Sequence, residues 1–208
     1  MKQIKLLILC TLAAMAVSCN NGDKGGKDFS EEEKSLIRGE GSVMHVLTIN
    51  NPEELALLQS KSRNLPEKTL LGKDFATLGE KMIKTVTDTS QDGVGRAGPQ
   101  VGLLVRVVAV QRFDLPGEPF VVYPNISLEP VGDEIQLGPE GCLSVPDCRG
   151  MVPRYKNIRI TYYDIASRKM VSEEVSDFTA VIFQHECDHL DGILYTDKVV
   201  LEAASGSE

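Results

Sequence analysis

The residues with the clearest chemical potential lie in one short run, His185-Glu186-Cys187-Asp188-His189. On a helix, side chains are about 100° apart, so the two histidines lie about 40° apart on one face, with Glu186 at its flank. One metal ion can therefore bind both imidazoles, and the carboxylate beside it can accept a proton from an attacking water. The run indicates hydrolysis of an amide or ester. The alternative is a helix whose histidines are solvated or cap a core.

A third metal ligand is available upstream, in the segment from Glu140 to Ser144. This segment contains the thiol of Cys142 and reads as the end of a strand or a loop. A thiolate and two imidazoles make a three-ligand set with a fourth position open, which catalytic rather than structural sites require. The alternative for Cys142 is a small buried side chain, the usual environment of an unpaired cysteine.

A glycine-rich segment, Gly-Val-Gly-Arg-Ala-Gly-Pro-Gln at residues 93–100, comes before both. Its glycines would let the backbone approach a ligand closely, and Gln100 supplies an amide donor. In this order, the three segments resemble the signature motifs of the peptide deformylase family, G-x-G-x-A-A-x-Q, E-G-C-L-S and Q-H-E-x-D-H. The second and third match letter for letter, and the resemblance covers roughly residues 43–200.

Two residues of the glycine-rich segment depart from the family pattern. Arg96 replaces an apolar residue, and Gly98 replaces the second alanine. A buried guanidinium must reach water or find a carboxylate, because burying it alone is costly. We expect the stem of Arg96 to pack and its head to be solvated. A changed substrate groove is the alternative.

The resemblance implies one divalent metal ion, held by Cys142, His185 and His189. Fe²⁺ is the expected ion, with Zn²⁺, Ni²⁺ or Co²⁺ as alternatives. Glu186 would act as general base and then return the proton to the departing amine. The substrates would be N-formylmethionyl peptides or proteins, which lose formate in N-terminal methionine processing during protein biosynthesis.

The resemblance also assigns roles around the ion. The Gln100 side-chain amide and the Leu143 backbone N–H would donate to the developing oxyanion. Gly95 would pair with the peptide as an added strand. Arg154 would hold a substrate carbonyl, or alternatively form a surface salt bridge. Two other functions stay open, an exported metal-dependent amidase or peptidase and a non-catalytic peptide-binding lipoprotein.

The first residues predict export. Two lysines precede an apolar run from Leu6 to Val17, which is shorter than the about 20 residues that cross a bilayer as a helix. Ala16 to Cys19 resembles a bacterial lipobox. We therefore expect a signal peptide at 1–18, a flexible tether at 19–34 and a catalytic domain at 35–208. The protein would be a membrane-anchored bacterial lipoprotein with a lipid on Cys19, facing the periplasm or the cell surface.

The charge composition limits the kinds of molecule that the protein is expected to bind. The chain of 208 residues has 22 basic and 30 acidic side chains, a net charge of −8. Such a surface repels phosphate backbones, so we expect no nucleic-acid binding. We expect a monomer. Cys148 and Cys187 are predicted to be free, mostly buried thiols, although they could pair outside the cytoplasm.

The surrounding elements predict an α+β domain. We predict strands at Val43–Ile49, 103–111, 120–123 and 126–129, and a hairpin formed by 159–163 with 170–175. His45 lies in the first of these strands. Helices are predicted from Ser30 to Arg38, after the cap Asn51, along an apolar stripe at Phe75, Leu78, Met82 and Val86, and from 178 to 190. Antiparallel strands would thus surround a buried central helix that carries the metal motif.

Overall fold

The computed structural model describes residues 26–90 and 93–202. The predicted signal peptide and Cys19 lie outside these residues. Within them, no helix combines the length and the apolar character needed to cross a membrane. Five α-helices occur in the described chain: α1 Glu31–Arg38, α2 Pro52–Leu58, α3 Glu67–Leu70, α4 Lys73–Val86 and α5 Asp177–Leu190.

The first two helices begin at the predicted caps. The Ser30 hydroxyl accepts from the Glu33 N–H at 3.2 Å, while the Glu33 carboxylate accepts from the Ser30 N–H at 2.8 Å. Asn51 Oδ1 accepts from the Glu53 N–H at 2.9 Å. These bonds satisfy N–H groups that the first helical turn leaves without partners. The helix starts are thus set by local sequence.

Nine strands form three antiparallel sheets of three strands each among the described residues. The first sheet holds β1 Gly95–Ala97, β2 Val107–Gln111 and β3 Phe120–Pro124; the second holds β4 Ser127–Pro130, β7 Asn157–Asp164 and β8 Lys169–Ser176; the third holds β5 Ile135–Cys142, β6 Val145–Tyr155 and β9 Leu201–Glu202. The predicted hairpin 159–163 with 170–175 is confirmed as β7 and β8.

Helix α5 is the element around which the strands pack. It buries Ala180, Ile182, Phe183 and Leu190 in a core that also contains residues of β2, β7 and β8. Helix α4 buries the predicted stripe of Phe75, Leu78, Met82 and Val86, and most of these side chains lie in a second core on the other side of the first sheet. The predicted α+β class with a buried central helix is confirmed.

The local sequence analysis needs four corrections, which concern three wrong predictions and one missed hairpin. Val43–Ile49 is not a strand, since only isolated bonds such as Leu47 N–H to Gln100 O pair it. The strand predicted at 103–111 begins only at Val107. The long β5–β6 hairpin was not predicted; the alternation of β5 is inverted, with Ile135 and Leu137 exposed and Glu140 buried.

The fourth correction concerns the tether. The packed chain begins before residue 35, because Phe29 is only 4 % exposed and lies in the α4 core. Glu33 also accepts two hydrogen bonds from Arg63, at 2.6 and 2.8 Å. A buried aromatic ring outweighs the polar, glycine-containing composition around it. Of the predicted tether, only residues 19–25 lie outside the described chain.

Candidate metal centre

Three potential metal ligands converge where α5 meets the end of β5. Helix α5 carries His185 and His189, one turn apart, and the last residue of β5 is Cys142. One ligand atom from each of the three lies within 4.8 Å of the others. Cys142 Sγ is 3.3 Å from His189 Nε2. The structure thus brings together the three residues that the sequence singled out.

The chemistry of these donors fits a divalent ion. Burial by itself would raise the pKa of Cys142, but hydrogen bonds and positive charge from His185 and His189 lower it to about 4. The sulfur is therefore a thiolate at neutral pH, which is the form that binds metal. A thiolate with two imidazoles suits Fe²⁺ or Zn²⁺ and leaves room for a reacting molecule.

A buried carboxylate orients the first histidine. His185 Nδ1 donates to Glu140 Oε2 at 2.8 Å, which turns Nε2 of the same ring toward the metal centre. Burial would raise the pKa of Glu140, but hydrogen bonds from Arg154 and His185 lower it to about 2. Glu140 is thus ionised and would fix the tautomer of His185 in its neutral, metal-binding form. Its role was missed in the sequence, although it begins the E-G-C-L-S motif.

Arg154 lies behind this carboxylate. Arg154 is 2 % exposed, and its guanidinium donates to Glu140 at 2.7 and 2.9 Å and to Asp188 at 2.5 Å. Asp188 also accepts from Lys198 Nζ at 2.6 Å. The alternative of a surface salt bridge is therefore wrong, since the pair is buried. The contact of Arg154 with a substrate carbonyl stays a prediction, while the structure gives this guanidinium three carboxylate bonds.

Glu186 lies beside the ligands and against Gly95. A Cβ at position 95 would lie 2.3 Å from Glu186 Oε1, so only glycine allows the carboxylate this position. Glu186 is 4 % exposed, and burial raises its pKa. Its Oε2 atom has no hydrogen-bond partner in the described chain. A buried carboxylate with a free oxygen can accept a proton from a water in the site.

The predicted oxyanion donors lie on the other side of Cys142. Gln100 Nε2 is 3.3 Å from both Cys142 Sγ and Ser144 Oγ. Its Oε1 accepts from the Ala97 N–H at 2.9 Å, so the amide donor points toward the centre. Leu143 lies in the turn that joins β5 and β6. Both predicted donors thus lie next to the thiolate.

The two departures in the glycine-rich segment are both buried. Arg96 is 1 % exposed, so the expected solvated head is wrong. Its Nε and Nη2 atoms have no hydrogen-bond partner within residues 26–90 and 93–202. Gly98 fits tightly, since a Cβ there would lie 2.7 Å from the Val105 carbonyl oxygen. An alanine at this position would require the backbone to move.

A groove of about 1180 Å³ opens over the centre. Its lining includes Gly95, Gln100, Cys142, His185 and Glu186. Strand β1 is at the edge of its sheet, paired only with β2 among the described strands. Its free edge can therefore pair with an extended chain in the groove.

The remaining candidate residues are not among the three ligands, although Cys148 lines the groove. Among the described cysteines there is no disulfide: Cys148 is exposed, which corrects its predicted burial, whereas Cys187 is buried as expected. His45, predicted as a strand residue without a role, pairs with Glu54 at 3.0 Å on the surface.

Comparison with known proteins places this site in one family. The model of the polypeptide deformylase family matches residues 43–204. Peptide deformylase 1 of Bordetella pertussis is 43 % identical over 132 residues, 61 % of this chain and 73 % of that protein. Peptide deformylase of Leptospira biflexa is 36 % identical over 165 residues, 76 % of this chain and 88 % of that protein.

Solved structures agree with the sequence comparisons. The Met-Ala-Ser-bound class I type b peptide deformylase of Acinetobacter baumannii matches with a TM-score of 0.65 and 32 % identity, covering 76 % of this chain and 98 % of that one. Peptide deformylase of Thermotoga maritima matches with a TM-score of 0.64 and 29 % identity, covering 76 % and 97 %. Both fold and sequence therefore resemble the same enzymes.

Proposed function

We propose how the residues of this chain act, given that it belongs to the polypeptide deformylase family. It is a metal-dependent hydrolase that removes the formyl group from N-terminal formyl-methionine. One observation carries the proposal. Three ligand atoms lie within 4.8 Å of one another, beside a buried carboxylate that has a free oxygen. This arrangement places a proton acceptor next to the ion that hydrolysis of an amide needs.

We propose that Cys142, His185 and His189 hold Fe²⁺. The bound ion would polarise the formyl carbonyl and make water a stronger nucleophile. The choice of Fe²⁺ rests on the resemblance to the family, because raw affinity favours Zn²⁺ for the same donors. Metal analysis of protein purified without oxygen tests it: Fe²⁺ should accompany activity. Full activity with Zn²⁺ as the only bound ion would contradict it.

In this mechanism, Glu186 moves the proton. Its free Oε2 accepts the proton of the attacking water and returns it to the departing amine nitrogen. The raised pKa of this buried carboxyl helps it both to take up and to hold the proton. Gly95 leaves the space that the carboxylate occupies, because the Cβ of any other residue would collide with it. Formate and a free methionine amine are the products.

Charge on the formyl oxygen is met by donors across the groove. We propose that the Gln100 amide and the Leu143 backbone N–H stabilise this oxygen as it becomes negative. Support comes from the bond between Gln100 Oε1 and the Ala97 N–H, which holds the amide in one orientation. A donor fixed in advance needs no reorganisation during the reaction. Replacing Gln100 by alanine should lower kcat more than it raises KM.

Peptide binding would use main-chain bonds to β1. The free edge of β1 at Gly95 lies along the groove, so a formylated N-terminus can pair there without a particular side chain. The Arg154 side chain is buried, donates to Glu140 and Asp188, and is not among the residues that line the groove. We therefore propose that Arg154 supports His185 through Glu140 and acts on the peptide only indirectly.

We propose that the protein is exported, lipid-anchored at Cys19 and monomeric. Support for export and for the anchor is confined to the leader, in which lysines and an apolar run precede a lipobox-like sequence that ends at Cys19. Phe29, ten residues after Cys19, already packs in the core, so the segment between the lipid and the domain would be short. Fractionation of cells tests this: active protein should sediment with membranes. A Cys19→Ala variant that still sediments would contradict the anchor.

A further inference from the structure

One face of the third sheet is exposed and apolar. Side chains alternate between the two faces of each strand, and the inward face of β5 and β6 buries Glu140, Val152 and Arg154. The opposite face, here called the outer face, consists of Ile135, Leu137, Pro139, Met151, Pro153, Tyr155 and Leu201. Antiparallel sheets with one solvated face usually place polar residues there.

The register of the sheet makes this face continuous. Ile135 lies opposite Tyr155, Leu137 opposite Pro153, and Pro139 opposite Met151. Met151 in turn lies opposite Leu201 of β9, which extends the last row. Ile135 and Leu137 are each 50 % exposed, and Leu201 is 61 % exposed. Single exposed apolar residues are ordinary, but contiguous ones mark a binding surface.

The outer face carries no charge, although 25 % of the residues in the chain are charged. The first charged side chain in its rows is Arg149, which lies opposite Gly141 in the row after Pro139. That row is at the groove. A surface without charge suits an apolar ligand, because a charged one would lose its hydration without gaining a partner.

The outer face begins where the groove over the metal centre ends. Pro139 of the outer face lines the groove, and so do Gly141 and the charged Arg149 of the next row. Val199 lines the groove as well and leads along the chain to Leu201 in β9. A polypeptide whose N-terminus lies in the groove therefore has an apolar surface directly beside its exit.

We propose that the outer face binds an apolar stretch of the substrate polypeptide, downstream of the formyl-methionine that occupies the groove. The inference rests on the proposed function of that groove. From Pro139 to Ile135 the strand spans about 13 Å, which matches about four residues of extended chain. The enzyme would thus prefer formylated polypeptides whose first residues are followed by a short apolar segment.

A second copy of the chain fits this face less well. The face contains seven residues, whereas a stable interface uses roughly 20–30 residues from each partner. An extended peptide needs only a narrow strip of surface, and the groove already holds its other end. Continuity with the groove therefore favours the substrate as the occupant.

The test compares three substrates of the full-length enzyme. Formyl-Met-Ala-Ser reports on the groove alone, and two longer peptides add either Val-Leu-Val-Leu or Ser-Asn-Ser-Asn after the serine. We expect kcat/KM to be about tenfold higher for the apolar extension than for the polar one, through a lower KM. The double variant Ile135→Ser with Leu137→Ser should treat the two extensions alike.

A matched control replaces apolar residues that are exposed elsewhere. Leu115→Ser with Ile165→Ser changes two side chains that are 38 % and 39 % exposed and do not line the groove, and the preference should persist. All variants should hydrolyse formyl-Met-Ala-Ser at the wild-type rate. If wild-type enzyme fails on this short peptide, the proposed function fails, whatever the outer face binds.

Three results would overturn the inference while short-peptide turnover is intact. The wild type would turn over both extensions equally, or the outer-face variant would keep the preference. Alternatively, the wild type would bind phosphatidylcholine vesicles or form a dimer, with either property lost in the outer-face variant and no difference between the extensions. The occupant would then be a lipid surface or a second copy.

Discussion

The two walls of the metal centre differ in how their buried charges are satisfied. On the cysteine side, Glu140 accepts from both Arg154 and His185, and Asp188 accepts from Arg154 and Lys198. On the glycine side, Arg96 has two guanidinium nitrogens without a partner in the described chain, and one oxygen of Glu186 has none either.

This difference distinguishes the groups that hold the metal ligands in place from the group that takes part in the reaction. The supporting carboxylates Glu140 and Asp188 are both paired, which avoids the cost of an incomplete buried network, whereas Nδ1 of the ligand His189 has no partner in the described chain. The carboxylate that moves a proton must instead keep an oxygen free for water. Glu186 fits that requirement. Arg96 does not need a free nitrogen for any step of the proposed mechanism, so its position marks a departure rather than a requirement.

We expect the greatest loss of stability when the buried ion pair on the cysteine side is broken. Glu140→Gln would leave the buried Arg154 without its main partner, and we expect a loss of roughly 3–5 kcal/mol in the free energy of unfolding. Urea unfolding of the metal-free protein measures it. Glu134→Gln is the matched control, since its pair with Lys156 is exposed and should cost less than about 1 kcal/mol. Equal losses in the two variants would contradict the difference between the walls.

Acid should reduce that difference between wild type and Glu140→Gln. The folded pKa of Glu140 is about 2, below its ordinary value of 4.5, so its stabilisation is complete above pH 4.5 and is lost as the pH falls toward 2. We therefore expect the two unfolding free energies to converge across this range. Unfolding curves at a series of pH values measure the convergence. A constant gap down to pH 2 would show that Glu140 does not act through its charge.

A smaller loss, in kcat, should follow when the close contact between Gly95 and the Glu186 carboxylate is disturbed. Gly95→Ala should lower kcat by about 100-fold, because the new Cβ would displace the Glu186 carboxylate. Metal content should not change. Gly138→Ala is the control, since its Cβ would meet no atom within 4 Å. Steady-state kinetics with metal analysis decides the matter, and wild-type kcat in Gly95→Ala would contradict the proposed placement.

The smallest effect concerns Arg96. Replacing it by leucine should raise the free energy of unfolding by about 1 kcal/mol, because an unpaired buried charge is removed. Arg96→Lys keeps the charge and should bring no gain. Deformylation should change less than tenfold in both. A large loss of activity in Arg96→Leu would mean that the guanidinium serves the reaction.

The sequence was most informative where function requires particular residue types. The metal ligands, Glu186 and Gln100 could be found because three short motifs carry them, and α5 because Val181, Ile182 and Leu190 give it an apolar character. The helix caps at Ser30 and Asn51 could be predicted from the sequence, because a cap acts within one turn of the helix. All of these signals are local.

Long-range contacts account for what was missed. The partners of Arg154 come from positions 14 and 34 residues away, and no spacing reveals them. Phe29 lies in a polar stretch, yet tertiary packing orders the chain around it. The β5–β6 hairpin was missed although Ile135, Gln136 and Leu137 alternate in the sequence, and the apolar members of this alternation face outward, where a strand usually carries polar residues. The same residues define the outer face, so the failure of prediction coincides with a proposed function.

The most direct test measures formate release from formyl-Met-Ala-Ser by protein purified without oxygen, with Glu186→Gln as the control. The account predicts release by the wild type, together with a loss of roughly 10²-fold to 10⁴-fold in a variant that still binds one metal ion. No release from the metal-loaded wild type, or undiminished release by Glu186→Gln, would contradict the proposed mechanism.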